Sequence, residues 1–246
     1  MSHSGGTVMT TKAVTTAQLE SIRKMCADKG IGKDMLQQYG LDGFAFVVHA
    51  LDAIKTAATP NMVRWAMKLE PWVKFYREVM NTAMNVDAIR IPEHHEGFDR
   101  LIVVMPSMTS ERLFQFCKTR FQAWKWTDKN LDELVISERT TTAGPYAIWV
   151  RDRVEADEEL ADKSYNDLKA NNIIGVTLEE RLLDELEYHF WTGSHKDIQN
   201  VTLCSGSRYS GGSIPSVDWY GGDKLYVDRC NPDARSSHLR SRQAVS

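Results

Sequence analysis

Residues Leu203–Ser246 read LCSGSRYSGGSIPSVDWYGGDKLYVDRCNPDARSSHLRSRQAVS. Two alternating runs lie at its centre. Val217 and Trp219 alternate with Ser216, Asp218 and Tyr220; Leu225 and Val227 alternate with Lys224, Tyr226 and Asp228. Successive side chains of a strand point to opposite faces, so each run reads as a half-buried strand. Gly221-Gly222-Asp223 between them suits a hairpin turn, where positive φ is needed. One face is expected to bury Val217, Trp219, Leu225 and Val227, and the other to present Asp218, Tyr220, Tyr226 and Asp228. Cys204–Ser210 and Gly211-Gly212 break regular structure, and Asn231-Pro232-Asp233 is a further turn. Leu239–Val245 then reads as a closing strand, with 146–151 as its partner. Apolar residues at strand spacing argue for a folded edge, not a loose end. The remaining Tyr, Ser, Asp, Asn, Arg and Gly are the residue types of antibody-like contact loops.

Upstream, Tyr146–Arg151 (YAIWVR) is a strand of strong β formers after Gly144-Pro145. Val154–Asp162 (VEADEELAD) reads as a solvated acidic stretch; adjacent carboxylates there do not converge for acid–base work. Thr177 with Glu180 forms a capping box, and Leu178, Leu182, Leu186 and Phe190 recur at helical spacing with Leu183 beside them. Gly193 is the natural C-cap. Val201–Leu203 leads into the tail as a strand.

Before residue 143, Leu101–Met105 (LIVVM) is a buried strand ended by Pro106. Ser107 or Thr109 caps a helix whose face carries Leu113, Phe114, Cys117 and Phe121. Trp124 and Trp126 alternate as a half-buried strand, and Leu134–Ile136 is a third strand, giving a β-α-β-β unit. IPEHHEG (91–97) holds two adjacent histidines, which face opposite ways in extended chain, so it reads as a polar linker and not a metal site. Residues 1–90 read as helical. Thr15 with Gln18 starts one helix, Asp34–Tyr39 and Phe44–Ala58 give two more, and Thr59-Pro60 starts a helix along Met62, Val63, Ala66, Leu69, Val73, Tyr76, Met80 and Met84. Pro71 is expected to kink or split it.

The 246 residues carry 42% apolar side chains and a formal charge of −3, which supports a core and argues against a general nucleic-acid binder. No apolar run is long enough for a membrane span. The start of the chain has no secretory pattern, so a cytoplasmic setting is expected. The four cysteines form no CxxC pair. An enzymatic alternative would use His195, Asp197, Cys204, Ser205 and Ser207, with Cys204 and His195 as nucleophile and base.

The pattern SGSR, P-x-V-x-W, L-x-V, PD and LRSR-x-x-V-S resembles the C-terminal variable region of the target proteins of diversity-generating retroelements. YAIWVRDRVEADEE, TLEERLLDELEYHFWTGSHKDI and LCSGSR are similar to the constant frame of a set of such proteins from environmental bacteria of reduced genome. The resemblance covers 101–246. It implies that a reverse transcriptase misreads template adenines and that the altered copy replaces the 3′ end of the gene. Asn codons then change to many residues but never to Lys, Glu, Gln, Met or Trp. From Cys204 onward there is no Glu and no Met, and only Lys224, Gln243 and Trp219 of the other three types.

An α+β chain is expected: helical N-terminal residues 1–90, a small β-α-β-β unit or extension at 91–142, and a domain at 143–246, which the resemblance implies is C-type-lectin-like, with the variable tail at 204–246. CSGSR and LRSR stand where that fold usually carries GGSW and GFR signatures. The implied function is non-enzymatic display of a diversified surface to a protein or other macromolecular ligand. The contacts fall on Tyr209, Ser213, Ser216, Asp218, Tyr220, Tyr226, Asp228, Arg229, Asn231, Asp233, Ser236, Ser237 and His238. No catalytic set, metal or cofactor is expected. A structural or assembly protein, oligomerising through its N-terminal helices, is the other reading.

Overall fold

The structure is a computed structural model that describes residues 60–219 and 222–246, with 60–67 as backbone. The helices expected before residue 60 lie outside the described residues. The chain divides into two units, Met1–Arg64 and Trp65–Ser246. The second holds every element below except the first residues of the leading helix. It is a mixed α+β arrangement.

Helix α1 (Pro60–Glu78) begins at the expected proline and runs through Pro71 without splitting. Its anchors lie just beyond that residue. Trp72 donates its indole N–H to the Leu101 carbonyl at 2.9 Å, and the Tyr76 hydroxyl donates to the Val103 carbonyl at 2.8 Å. With Phe75 also fully buried, this packing outweighs the one backbone bond a proline removes. The observed stripe thus adds Trp72 and Phe75 to the expected Leu69, Tyr76 and Met80.

Strand β1 (Arg100–Val104) pairs antiparallel with β4 (Tyr146–Val150), Ile102 opposite Ile148. Between them lie helix α2 (Ser110–Arg120), capped by Thr109, and the short strands β2 (Ala123–Lys125) and β3 (Val135–Ser137). After β4 come α3 (Tyr165–Ala170) and α4 (Leu178–Thr192). The tail supplies β5 (Val201–Leu203), β6 (Ser207–Tyr209), β7 (Ile214–Asp218), β8 (Leu225–Cys230) and β9 (Leu239–Ser241). The main sheet has the order β2-β8-β7-β5-β9, and β3 pairs with β6.

This topology corrects the expected boundaries at 90 and 142. The strands of 91–142 do not pair with one another: β1 joins β4, β2 runs parallel to β8, and β3 joins β6. Each of these short strands completes its hydrogen bonding on a strand from 143–246, so 91–142 is woven into one fold. The closing segment also differs. Leu239–Ser241 runs parallel to β5, and only Val245 reaches β4, exchanging two backbone hydrogen bonds with Trp149 at 2.9 and 3.0 Å.

The centre of the unit is α4, which packs on α2, β1 and β7. Its capping box and its left-handed Gly193 cap are as expected. Its charged side is not solvated: Glu180, Arg181, Asp184 and Glu185 are fully buried. Arg181 pairs with Glu185 at 2.8 Å and with Asp197 at 2.9 Å. Arg242, from the tail, pairs with the other Asp197 oxygen at 2.6 Å and donates to the Val154 carbonyl at 2.6 Å. Asp184 binds Arg100 and lies 3.4 Å from Lys196. Burial alone would raise Asp197, but the Arg242 and Arg181 guanidiniums outweigh it and hold the carboxyl below its ordinary range. Burial lowers the Lys196 ammonium to about 8 against the pull of Asp184.

The acidic stretch 154–162 needs a similar correction. Asp157 is buried, pairs with Arg151 at 2.7 Å and accepts the Gln243 N–H at 2.8 Å. Glu155 accepts from the backbone of Ile198 and Gln199 and from the Asn200 side chain. Both carboxylates fasten neighbouring loops.

Candidate ligand-binding surface

Most residues of the two serine-rich motifs that carry the resemblance are interior, Arg208 being exposed. Cys204, Ser205, Gly206 and Ser207 are buried at the N-terminus of α4. The Leu178 N–H donates to Ser207 Oγ at 2.9 Å, supplying a partner for an amide that the helix leaves open. Ser205 Oγ meets Ser241 Oγ at 2.9 Å. Gly206 is required by close approach: a Cβ there would lie 2.6 Å from the Gly175 carbonyl oxygen. Leu239, Ser241 and Arg242 of LRSR are buried as well. CSGSR and LRSR therefore hold the tail to the unit.

The thirteen expected contact residues separate accordingly. Tyr209, Ser216 and Asp218 are buried, at 3%, 3% and 8% exposure, which corrects their assignment to the outer surface. Strand β7 lies between β5 and β8, and a central strand has neighbours on both sides. On the face carrying Ile214 and Ser216, an apolar cluster of Leu160, Leu168, Leu203, Ile214 and Leu239 extends over the sheet from the α3 segment. Ser216 also hydrogen-bonds the Cys230 thiol. Tyr220 lies outside the described residues.

The β8 half of the hairpin follows the expected alternation. Val217 stands opposite Val227, and Asp218 opposite Tyr226. Leu225 and Val227 are buried, Tyr226 is half-buried and Asp228 is exposed. Trp124 on β2 is the register partner of Tyr226, and the two rings lie 5.8 Å apart. Trp124 is 44% exposed, so an aromatic pair borders the Asp228 face.

Asp233, Ser236, Ser237 and His238 are exposed on a segment whose backbone is fastened down. Asn231 Oδ1 accepts the Asp233 N–H at 2.9 Å, closing the expected turn. The Asn166 and Asp162 N–H groups donate to the Pro232 and Ser236 carbonyls, and the Val201 N–H donates to the His238 carbonyl at 2.8 Å. Arg235 forks onto Asp167 at 2.7 and 2.8 Å.

Four expected residues meet in one place. Tyr209, Ser213, Arg229 and Asn231 line an open cleft of about 450 Å³, together with Trp126 and Leu134 from outside the tail. The Arg229 guanidinium lies 4.1 Å from the centroid of the Trp126 ring, and Trp126 meets Tyr209 edge-on at 5.4 Å. Burial keeps the Tyr209 phenol protonated well past the ordinary tyrosine range. Trp126, expected only as a strand residue, sits just past the end of β2, and a tryptophan there names no partner in the sequence.

The side chains of the enzymatic alternative are engaged elsewhere. Cys204 is fully buried, its thiol 4.0 Å from the Thr202 carbonyl oxygen, and burial raises its pKa far above the usual thiol value. The His195 ring bonds Glu185 at 2.9 Å and stacks on Trp219 with centroids 3.5 Å apart. Asp197 is held by two arginines. Cys117, Cys204 and Cys230 are free thiols. His94 of the IPEHHEG segment pairs with Asp99 at 2.9 Å and packs edge-on against Trp149. Among the described residues no three His, Cys, Asp or Glu side chains converge as a metal-binding group, and no helix is long and apolar enough to cross a membrane. No family model matches the chain, and neither does any curated protein or solved structure.

Proposed function

We propose that the protein is a non-enzymatic binding protein that presents a diversified C-terminal surface to a protein or other macromolecular ligand. The diversity is generated by a retroelement that rewrites the tail, and the frame is C-type-lectin-like. One observation carries this reading: the tail separates into buried motifs that fasten it and outward residues held by their backbone. Cys204–Ser207 of the first motif and Leu239, Ser241 and Arg242 of the second belong to the first set. Asp228, Arg229, Asn231, Asp233, Ser236, Ser237 and His238 belong to the second, all exposed. A surface rewritten repeatedly must keep its backbone while its side chains change, and this division permits that. The order β4, α4, β5, hairpin and closing segment supports the lectin-like frame.

Sequencing the DNA around the gene tests the origin of the surface. A neighbouring reverse-transcriptase gene is expected, with a near-copy of the tail-coding segment differing only at adenines. Differences spread evenly over all four bases, or concentrated in the codons of Ser205, Gly206 and Arg242, would refute it.

A further inference from the structure

The cleft beside β8 offers hydrogen-bond donors and no acid. None of the side chains that line it is an aspartate or glutamate. Arg229 is exposed, and among the described residues its guanidinium has no carboxylate partner; it lies over the face of Trp126 at 4.1 Å. Stacking on the indole fixes the plane of the guanidinium and leaves its in-plane N–H groups open. The neighbouring acid, Asp228, is turned to the backbone: its Oδ1 accepts the Arg229 N–H at 2.8 Å. The Trp126 indole N–H is buried and interacts with the Tyr209 hydroxyl without reaching full hydrogen-bond geometry, a condition that favours an entering acceptor. Besides the Trp126 indole, the Tyr209 hydroxyl reaches the Asp228 carbonyl, at 3.4 Å.

These features select the ligand. A cation is repelled, and a neutral group leaves the guanidinium without its matching charge. A planar anion with two acceptors fits the fork of an arginine. We propose that this cleft binds a carboxylate presented by a protein partner, with Arg229 as the residue that sets specificity and Trp126 as the platform beneath it. The proposal rests on the binding-protein reading and gives it a chemistry. It also divides the labour. Trp126 and Leu134 lie outside the tail, whereas Arg229 is an exposed tail position, so a rewritten tail would exchange the specificity residue above a constant floor.

The test uses the full-length protein labelled with ¹⁵N. The Trp126 indole signal, assigned by its loss in Trp126→Phe, and the Arg229 Nε–H signal are followed during titration. The probes are acetate, inorganic phosphate, a capped alanine peptide carrying one internal glutamate, and an alanine peptide with a free C-terminus. Saturable movement of both signals with acetate and with at least one peptide is expected. The tighter peptide then identifies an acidic side chain or a chain end as the source. In Arg229→Gln the affinity falls by about tenfold or more, the scale of a lost charge-assisted pair, with an unchanged spectrum elsewhere.

Three results overturn the assignment: no saturable movement with any carboxylate, equal affinity in Arg229→Gln, or tighter binding of phosphate than of every carboxylate. Silence of all probes in a protein whose tail variants still fold removes the carboxylate assignment alone. Unfolding of those tail variants removes the binding-surface reading instead.

Discussion

Helix α4 and the segment 228–238 are both rich in charged and polar residues, and they use them in opposite ways. In α4 the side chains turn inward and satisfy one another. Arg181, Glu185 and Asp184 are fully buried, and Arg242 of the tail's LRSR motif completes the network on Asp197. In 228–238 much of the backbone is engaged, while most side chains face water. The first region spends its buried charges on position. The second leaves its side chains open to replacement. Polarity in a sequence therefore does not mark a surface; what distinguishes the two is whether a charge meets a partner within the fold.

The comparison breaks most sharply at Asp197. Asp197→Ala leaves the guanidiniums of Arg181 and Arg242 buried without their shared carboxylate. Removing one partner of a buried ion pair costs about 3–5 kcal/mol. Chemical denaturation should show a loss of that size, and a loss near that of a surface substitution would show that the network is not structural.

Acid should act on the same groups. Burial opposes ionisation of Asp184 and Asp197, but Arg100 and Lys196 hold the first below the ordinary carboxylate range, and Arg242 and Arg181 hold the second below it. Their stabilisation is complete above the unfolded carboxylate value of about 4 and is lost as pH falls through the depressed folded values. Glu187, raised by burial, opposes this in part. The melting temperature should decline below about pH 4, and less steeply in Asp197→Asn. A decline equally steep in the variant would assign the acid sensitivity to other groups.

A smaller loss is expected where the tail meets the start of α4. In Gly206→Ala the new methyl would stand 2.6 Å from the Gly175 carbonyl oxygen and 3.0 Å from the Thr177 nitrogen. Both are backbone atoms and cannot rotate away. Overpacking of this kind costs about 1–3 kcal/mol. An unchanged denaturation midpoint would mean that the buried motif tolerates movement and is not a rigid fastening.

What could be read in advance follows from range. The Thr177–Glu180 capping box, the left-handed Gly193 cap and the β7–β8 hairpin depend on residues close in sequence, and the chain states them directly. The partners of β1, β2 and β3 lie far along the chain, and nothing in LIVVM or AWK names Tyr146–Val150 or Leu225–Cys230. The leucines of α4 marked its apolar face, but periodicity treats Arg181 and Asp184 as solvent-facing; only Arg242 and Arg100, distant in sequence, bury them. The same limit explains the tail. Alternation correctly separated Val227 from Asp228. It failed at Ser216 and Asp218 because β7 acquires a neighbour on each side and Leu160, Leu168 and Leu239 extend over its second face.

The smallest effect bears most directly on the function. Asp228 and Ser237 belong to the outward set, and Ser213 is a half-buried residue of the cleft; the backbone of Ser213 and Asp228 is tied by main-chain bonds that do not need their side chains. The Ser213 carbonyl receives the Tyr209 N–H at 2.8 Å, and Asp228 holds its register opposite Ser216 through the β7–β8 ladder. Exposed substitutions away from caps, ion networks and tight packing shift stability by within about 0.5 kcal/mol each. The combined variant Ser213→Ala, Asp228→Asn, Ser237→Ala should therefore unfold close to the parent in denaturant, with the same dependence on denaturant concentration. A loss approaching that of Asp197→Ala would place these side chains among the structural ones. It would erase the contrast with α4, because a surface that cannot change without unfolding cannot be one that is rewritten.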